Sequence, residues 1–353
     1  MEYPPVSVVM PVRNEERYLA ESVRHVLDQD YPAPLQVVLA VGPSHDRTEQ
    51  IARELADPRV TVVANPSGRI PAALNAARRA ARYDVIARVD GHALLPPGYL
   101  KTAVTALADT GAADVGGIMA AEGVTPFQRA VAWGMTSPAG VGAAAFHTGG
   151  SAGSADSVYL GVYRRDAIEE AGGYDEEMLR AEDWELNYRI RARGRLIWFA
   201  PELRITYRPR ASVGALGSQY FHYGRWRRVI VREHPETANF RYLAPPGAAA
   251  LVAAGLVAGL IGLIGIATGG PSAVSWLTAG FVIPLTYLLG ITAVTAALSR
   301  GVPRGVRVRL PLVLATMHMC WGTGFLTSPP GLHRVHEPGT TARSGQVTAD
   351  ARE

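Results

Sequence analysis

Lysine is almost missing from this 353-residue chain: Lys101 stands alone, and every other basic side chain of fixed charge is an arginine. A phosphate-gripping G-x-x-x-x-G-K-[ST] loop therefore cannot be written, and a Schiff-base lysine would have to be Lys101, whose neighbours point to no such chemistry. Cysteine is equally scarce. Cys320 is the single thiol, which excludes an intramolecular disulfide and a thiolate metal cluster and suits a reducing compartment for the globular part. The opening Met1-Glu2-Tyr3-Pro4-Pro5 lacks the basic and apolar regions of a signal peptide, so the first domain is expected to stay on the side where it is made. A formal net charge of +4, spread along the chain, gives no basic tract and argues against nucleic acid as a partner.

What is present first is alternation. Residues 6–10 form a short apolar strand that Pro11 is expected to stop, and Asn14 is a suitable N-cap for a helix carrying Tyr18, Leu19, Ser22, Val23, Val26 and Leu27. Further strands are expected at 35–41, 59–64 and 83–89, with helices at about 46–55 and 71–82, the latter opened by Pro71. Strand-helix alternation of this kind implies an α/β fold with a mostly parallel, Rossmann-like sheet. Ligands of such sheets gather at the carboxyl ends of the strands, here the turns at Pro11, Val41, Ala64 and Asp90.

Periodicity says little over residues 110–165, which are rich in glycine, alanine and serine. A helix is expected at 181–193, ending at Gly194, and short strands at 197–200 and 204–207. Residues 219–232 mix aromatics with Arg225, Arg227, Arg228 and Arg232, a pattern for an amphipathic helix at a membrane surface. Residues 247–268 carry no charge over about 22 positions, about 33 Å as a helix and enough to cross a bilayer. Residues 273–299 form a second such run. Residues 310–326 form a shorter third, interrupted by His318, for which an interfacial or re-entrant course competes with a full span. Arg300, Arg304, Arg307 and Arg309 follow the second run, so the positive-inside rule puts them and the globular domain in the cytoplasm. The expected layout is a domain at 1–240, a multi-pass plasma-membrane region at 241–328, and an unstructured tail at 329–353.

Two acidic steps carry the chemistry. Asp90-Gly91-His92 follows the apolar run Val85-Ile86-Ala87-Arg88-Val89, where a carboxylate and an imidazole suit a divalent cation (Mg or Mn) and the phosphates it neutralises. The purely structural reading is that Asp90 caps a turn and His92 is a surface histidine. Glu182-Asp183 opens a helix, where carboxylates favour the macrodipole by about 0.3–1 kcal/mol, and the same dipole keeps Asp183 able to accept a proton. Two other patterns are weaker. Gly149-Gly150-Ser151-Ala152-Gly153 matches the G-x-S-x-G elbow of serine hydrolases, but the residues before Ser151 make a poor strand. Gly140-Val141-Gly142 with Ala145 imitates a dinucleotide fingerprint, yet Thr136-Ser137-Pro138 precedes it in place of a strand.

At these residues the chain resembles the family 2 glycosyltransferases of the GT-A fold, and within them the succinoglycan-type, ExoA-like bacterial membrane branch. The stretch from Val8 through Pro11, Asn14 and Glu15 resembles the family's opening P-x-x-N-E segment of the nucleotide pocket. The stretch Asn65-Pro66-Ser67-Gly68-Arg69, with Asn75 beyond it, is similar to the next donor-site segment. Asp90-Gly91-His92 takes the place of the D-x-D motif. Gly172-Gly173-Tyr174-Asp175-Glu176 and Ala181-Glu182-Asp183-Trp184-Glu185-Leu186 match two later segments. The resemblance implies a GT-A domain followed by C-terminal transmembrane helices. It implies Asp183 as catalytic base, Pro11, Asn14, Glu15, Arg69, Asn75 and Asp90 around the nucleotide-sugar, and Asp90 with His92 at the metal. On the acceptor side stand Glu182 and, in a loose match to Q-x-x-R-W, Gln219, Arg225 and Trp226. One departure matters: Val41-Gly42-Pro43-Ser44-His45-Asp46 replaces the usual D-D-G-S-x-D, so two aspartates near the base are gone.

The expected activity is inverting transfer of a sugar, UDP-linked, to a lipid-linked or membrane-proximal glycan acceptor in cell-envelope or exopolysaccharide synthesis. The competing readings are a polyprenyl-phosphate sugar synthase and, from another class, a serine esterase using Ser151.

Overall fold

Four βα repeats lead the chain into a sheet, as the alternation implies. The computed structural model describes residues 2–142 and 144–333. Strands β1 (Val6–Val12), β2 (Leu35–Val41), β3 (Val60–Ala64) and β4 (Val85–Arg88) alternate with helices Leu19–Leu27, Thr48–Glu54 and Ile70–Ala80. These strands lie in the order β3-β2-β1-β4, all parallel. Strands β5 (Asp114–Ala121), β6 (Gly153–Ser154), β7 (Tyr159–Arg164) and β8 (Ile197–Tyr207) continue the sheet as β7-β5-β8-β6. β7 is antiparallel to both β4 and β5, while β5 and β8 are parallel.

Alternate residues of β1 serve the two faces. Val6, Val8, Met10 and Val12 pack beneath helices Leu19–Leu27 and Tyr99–Thr110, whereas Val9 faces helices Ile70–Ala80 and Glu182–Ala192. The result is a three-layer α/β domain with an apolar core on each side of the sheet.

Three local expectations are corrected. Pro11 does not stop β1, because its missing N–H falls where none is needed. The Val6 N–H and Val12 carbonyl bond on the β2 side, so residues 7, 9 and 11 face β4, and the Val9 carbonyl takes the Val89 N–H as that ladder ends. Asn14 does not cap the first helix, which starts at Leu19; Asn14 instead adopts φ 55 and accepts the His45 N–H on its side-chain oxygen at 2.9 Å. The strands expected at 197–200 and 204–207 are one strand, kept continuous by a register shift opposite Gly116–Ile118. A Cβ on Gly117 would overlap the Leu203 carbonyl, so this bulge needs glycine.

Beyond the sheet, the arginine-aromatic segment is a 21-residue helix, Val213–Glu233. Two segments are long and apolar enough to cross a membrane, Phe240–Ala267 and Ser272–Leu298. The outward faces argue against buried core helices: Leu260, Ile264 and Leu289 are 53%, 62% and 61% exposed. The inner face of the first carries Gly255, Gly259, Gly262 and Gly265 and packs closely on the 3-10 turn Trp276–Phe281. The third apolar run is an unbroken 17-residue helix, Leu310–Leu326, and His318 does not interrupt it. It returns to the domain instead. Leu310, Val313, Leu314 and Met317 join a core with Ala130, Val131, Leu216 and Tyr220, and the His318 ring meets the Ala139 carbonyl at 2.8 Å. Of the tail expected to be unstructured after Pro329, residues 334–353 lie outside the described residues.

Candidate active site

The carboxyl ends of β1, β2 and β3 are tied into one ledge by side chains bonding to neighbouring turns. Arg13 donates to the Pro43 and Gly68 carbonyls at 3.1 and 3.3 Å. Ser44 accepts the Asn14 N–H, Thr48 accepts the Glu15 N–H, and Asp46 accepts the Glu16 N–H. Asp46 has its carboxyl lowered from the usual range: mild burial raises it, and the bonds from Thr48 and the nearby amides outweigh that. Arg69 precedes helix Ile70–Ala80 and its carbonyl accepts from Asn65 at 3.0 Å. Asn75 lies within that helix and reaches the 172–176 loop. It donates to the Tyr174 carbonyl at 2.8 Å and to Glu176 at 3.0 Å and accepts the Tyr174 N–H at 2.9 Å, so it pins the 172–176 loop from inside.

Asp90 and His92 stand at the end of β4. Gly91 between them leaves room for Glu15, whose Cγ would lie 3.1 Å from a Cβ at that position. Glu15 thereby reaches His92, Oε1 to Nδ1 at 2.8 Å, and this bond holds the imidazole pKa above its ordinary value despite opposing burial. The contact leaves Nε2 of His92 open, the arrangement in which a carboxylate orients a metal-binding imidazole. No group of three or more His, Cys, Asp or Glu side chains that could hold a metal occurs among the described residues. The donor set is thus too small for a resident metal. It fits a cation that arrives with a diphosphate and takes most of its ligands from it.

Behind Asp90 lies Arg88, the last residue of β4 and only 7% exposed. Its Nη2 meets Glu182 Oε1 at 2.9 Å and Asp90 Oδ1 at 3.3 Å, and its Nη1 lies 3.9 Å from Asp183 Oδ2. Asp90 and Asp183 therefore meet at one guanidinium, each part-exposed, although 93 residues separate them. Burial raises the Glu182 carboxyl to about 7, Arg88 opposes that rise, and Asp183 adds to it. Arg88 itself stays charged, since three carboxylates outweigh its desolvation. Asp183 sits in the first turn of helix Glu182–Ala192, and its Oδ1 accepts the Trp184 N–H at 2.8 Å. Ala181 before it holds φ 60, a left-handed conformation that a residue with a Cβ rarely adopts.

The other expected acceptor-side residues sit on helices Glu182–Ala192 and Val213–Glu233. Glu182 faces inward on Arg88. Gln219 is buried and donates to the Tyr207 and Tyr223 hydroxyls at 2.8 and 2.9 Å. Trp226 packs with Met178, Trp184, Val229 and Ile230 beneath the Asp183 helix. Arg225 lies over the Phe221 ring. Ser151 of the hydrolase-like pattern is exposed and follows the short helix Ala145–Thr148, not a strand, so it does not sit on a strand-to-helix elbow.

A parallel sheet with a carboxylate pair across its carboxyl edge can be compared with known proteins. The family model for Glycosyl transferase family 2 matches residues 7–172. The succinoglycan biosynthesis protein ExoA of Rhizobium meliloti (strain 1021) is 31% identical over 328 residues, 90% of this chain and 93% of that protein. The chain belongs to glycosyl transferase family 2. A second relative is more distant: a dolichyl N-acetyl-alpha-D-glucosaminyl phosphate 3-beta-D-2,3-diacetamido-2,3-dideoxy-beta-D-glucuronosyltransferase of Methanococcus voltae. It is 22% identical over 269 residues, 72% of this chain and 82% of that one. Among solved structures, the mannosyltransferase PcManGT from Pyrobaculum calidifontis, in complex with GDP-Man and Mn2+, superposes with a TM-score of 0.57. Its identity is 20%, over 93% of this chain and 88% of that one, and it bears on the fold alone. The GT-A arrangement with two apolar C-terminal helices is the fold expected of such a family 2 enzyme.

Arg88 is the site residue that sequence reading missed. The signal was present: a charge inside the strand run Val85-Ile86-Ala87-Arg88-Val89 has to find carboxylates, and Asp90 stands two residues further on.

Proposed function

We propose that this family 2 glycosyltransferase moves a hexose from a UDP-linked donor to a hydroxyl of a lipid-linked or membrane-proximal glycan, with inversion at the anomeric carbon. The observation that carries the reading is the shared guanidinium: Asp90 and Asp183 both face Arg88, at 3.3 and 3.9 Å. The donor lies over the ledge formed by Pro11, Asn14, Glu15 and Arg69, with its diphosphate at Asp90. A divalent cation held there by Asp90 and His92 would neutralise the charge that develops on the leaving diphosphate. Asp183 takes the proton of the acceptor hydroxyl as that oxygen attacks from the face opposite the diphosphate. One displacement needs no carboxylate nucleophile, and no second carboxylate has to stand beneath the sugar.

The membrane course supports the acceptor class. Residues 1–240 form the catalytic domain and 241–328 the membrane region of a multi-pass plasma-membrane protein. After two crossings, Arg300, Arg304, Arg307 and Arg309 come back to the domain, where Val306 is buried in the core shared with Leu310–Leu326. A cytoplasmic domain and a cytoplasmic arginine loop on the same side satisfy the positive-inside rule. The Methanococcus voltae relative, by its name, acts on a sugar carried by a lipid phosphate.

The test is a screen of nucleotide-sugars against protein purified in detergent with Mn2+, reading the released nucleotide. UDP-hexose turnover lost in Asp183→Asn supports a hydroxyl acceptor. A polyprenyl-phosphate acceptor needs no deprotonation, so turnover kept in Asp183→Asn would favour a polyprenyl-phosphate sugar synthase instead.

A further inference from the structure

Arg88 makes three contacts of unequal quality. The pair with Glu182 is short, 2.9 Å, and both side chains are under 10% exposed. It is the shortest of the three, and the charges of Asp90 and Asp183 add to it in keeping the buried guanidinium ionised. The other two are loose. Nε and Nη2 each stand 3.3 Å from the same Asp90 oxygen, and Nη1, enclosed and without any hydrogen-bond partner, is 3.9 Å from Asp183 Oδ2. Glu182 is withdrawn, but Asp90 and Asp183 are 23% and 33% exposed. The tight contact thus goes to the residue with no room to touch a substrate, and the slack ones go to the two residues that face it.

We propose that Arg88 is a positioning residue that divides one guanidinium between the donor-side carboxylate Asp90 and the base Asp183, with Glu182 as its fixed anchor. The inference rests on the function proposed above and adds how its two halves communicate. While the donor site is empty, Asp90 spends its charge on Arg88. When Asp90 turns to the cation-bound diphosphate, it releases Nε and Nη2, and the guanidinium closes the remaining gap to Asp183 Oδ2. The base is then held in place when a donor is present. Arginine is required because its planar fork spans three acceptors at once, which the single ammonium of lysine does not do.

The experiment compares Arg88→Gln and Arg88→Lys with the wild type in detergent, measuring UDP affinity with Mn2+ by calorimetry and sugar transfer in the same preparations. Releasing Asp90 from its ion pair should leave UDP–Mn2+ affinity unchanged or tighten it, while transfer falls roughly a hundredfold. Asp183→Asn added to Arg88→Gln should cost no more than the larger single loss, because both act through one carboxylate. If Arg88→Gln does not fold, Arg88→Gln/Glu182→Gln removes the stranded buried charge and serves in its place. UDP–Mn2+ affinity falling in parallel with transfer, or losses that multiply in the double variant, would overturn the proposal. Failure of the proposed function itself looks different: the wild type would neither bind UDP nor transfer sugar.

Discussion

On the proposed donor side, Arg13, Asn14 and Asp46 are held by backbone groups of neighbouring turns and remain open to water. On the base side, Arg88 and Glu182 are withdrawn from water and hold each other. The first arrangement is assembled from neutral or half-exposed hydrogen bonds worth about 0.5–1.5 kcal/mol each, and it can lose one and adapt. The second is a buried ion pair, and removing one partner strands the other at a cost of about 3–5 kcal/mol. The contrast teaches where the molecule tolerates change: donor choice can drift on the ledge, while the geometry around the base cannot.

The sharpest way to break this contrast is Asp183→Asn. It should lower transfer by about 10²–10⁴-fold, the usual worth of a general base, while UDP affinity in calorimetry stays near the wild-type value. Glu182→Ala should destabilise the protein by about 3–5 kcal/mol, seen as a large fall in melting temperature in detergent, because Arg88 loses its tight partner. Donor-side Asp90→Asn should cost less, about 1.5–3 kcal/mol or roughly ten- to a hundredfold in UDP–Mn2+ affinity, and EDTA should weaken the wild type towards the same level. Asn75→Ala removes three buried bonds to the 172–176 loop and should cost about 1–3 kcal/mol of stability with little change in UDP affinity.

The smallest effect concerns His147, whose pKa is pushed down to about 3 by burial and, secondarily, by Arg241. A group depressed on folding contributes stability above its unfolded value near 6.5, and that contribution is lost as pH falls towards 3. His147→Gln should therefore flatten the decline in melting temperature between pH 6.5 and 4.5.

The first half of the fold was legible because βα repeats carry their pattern locally. Apolar runs end at Pro11, Val41, Ala64 and Asp90, and the turns after the first three are tied together by side-chain bonds. Over 110–165 the pattern failed for a physical reason. β5 is Asp-Val-Gly-Gly-Ile-Met-Ala-Ala, where glycines admit the bulge against β8 and the β7 carbonyls, so period-two hydrophobicity is absent. One local sign there was readable: Thr125 and Gln128 form a capping box that opens helix Pro126–Met135. Among the site residues, Asp90 and Asp183 advertise themselves by their places at a strand end and a helix start. Arg88 does not, because its meaning lies in partners that are distant along the chain. Asn75 was read as a donor-site residue from a motif, and its bonds to the 172–176 loop, about a hundred residues on, were not visible there. The course of the third apolar run stayed open for another reason: Leu310–Leu326 is apolar enough for lipid, and only the fold shows that one face packs on the domain.

The central claim is a single displacement with Asp183 as base, and the configuration of the product tests it most directly. With an α-linked UDP-hexose as donor, the one-bond and vicinal couplings of the anomeric proton in the isolated product report its linkage by NMR. A β-linked product is predicted; an α-linked product would contradict the account.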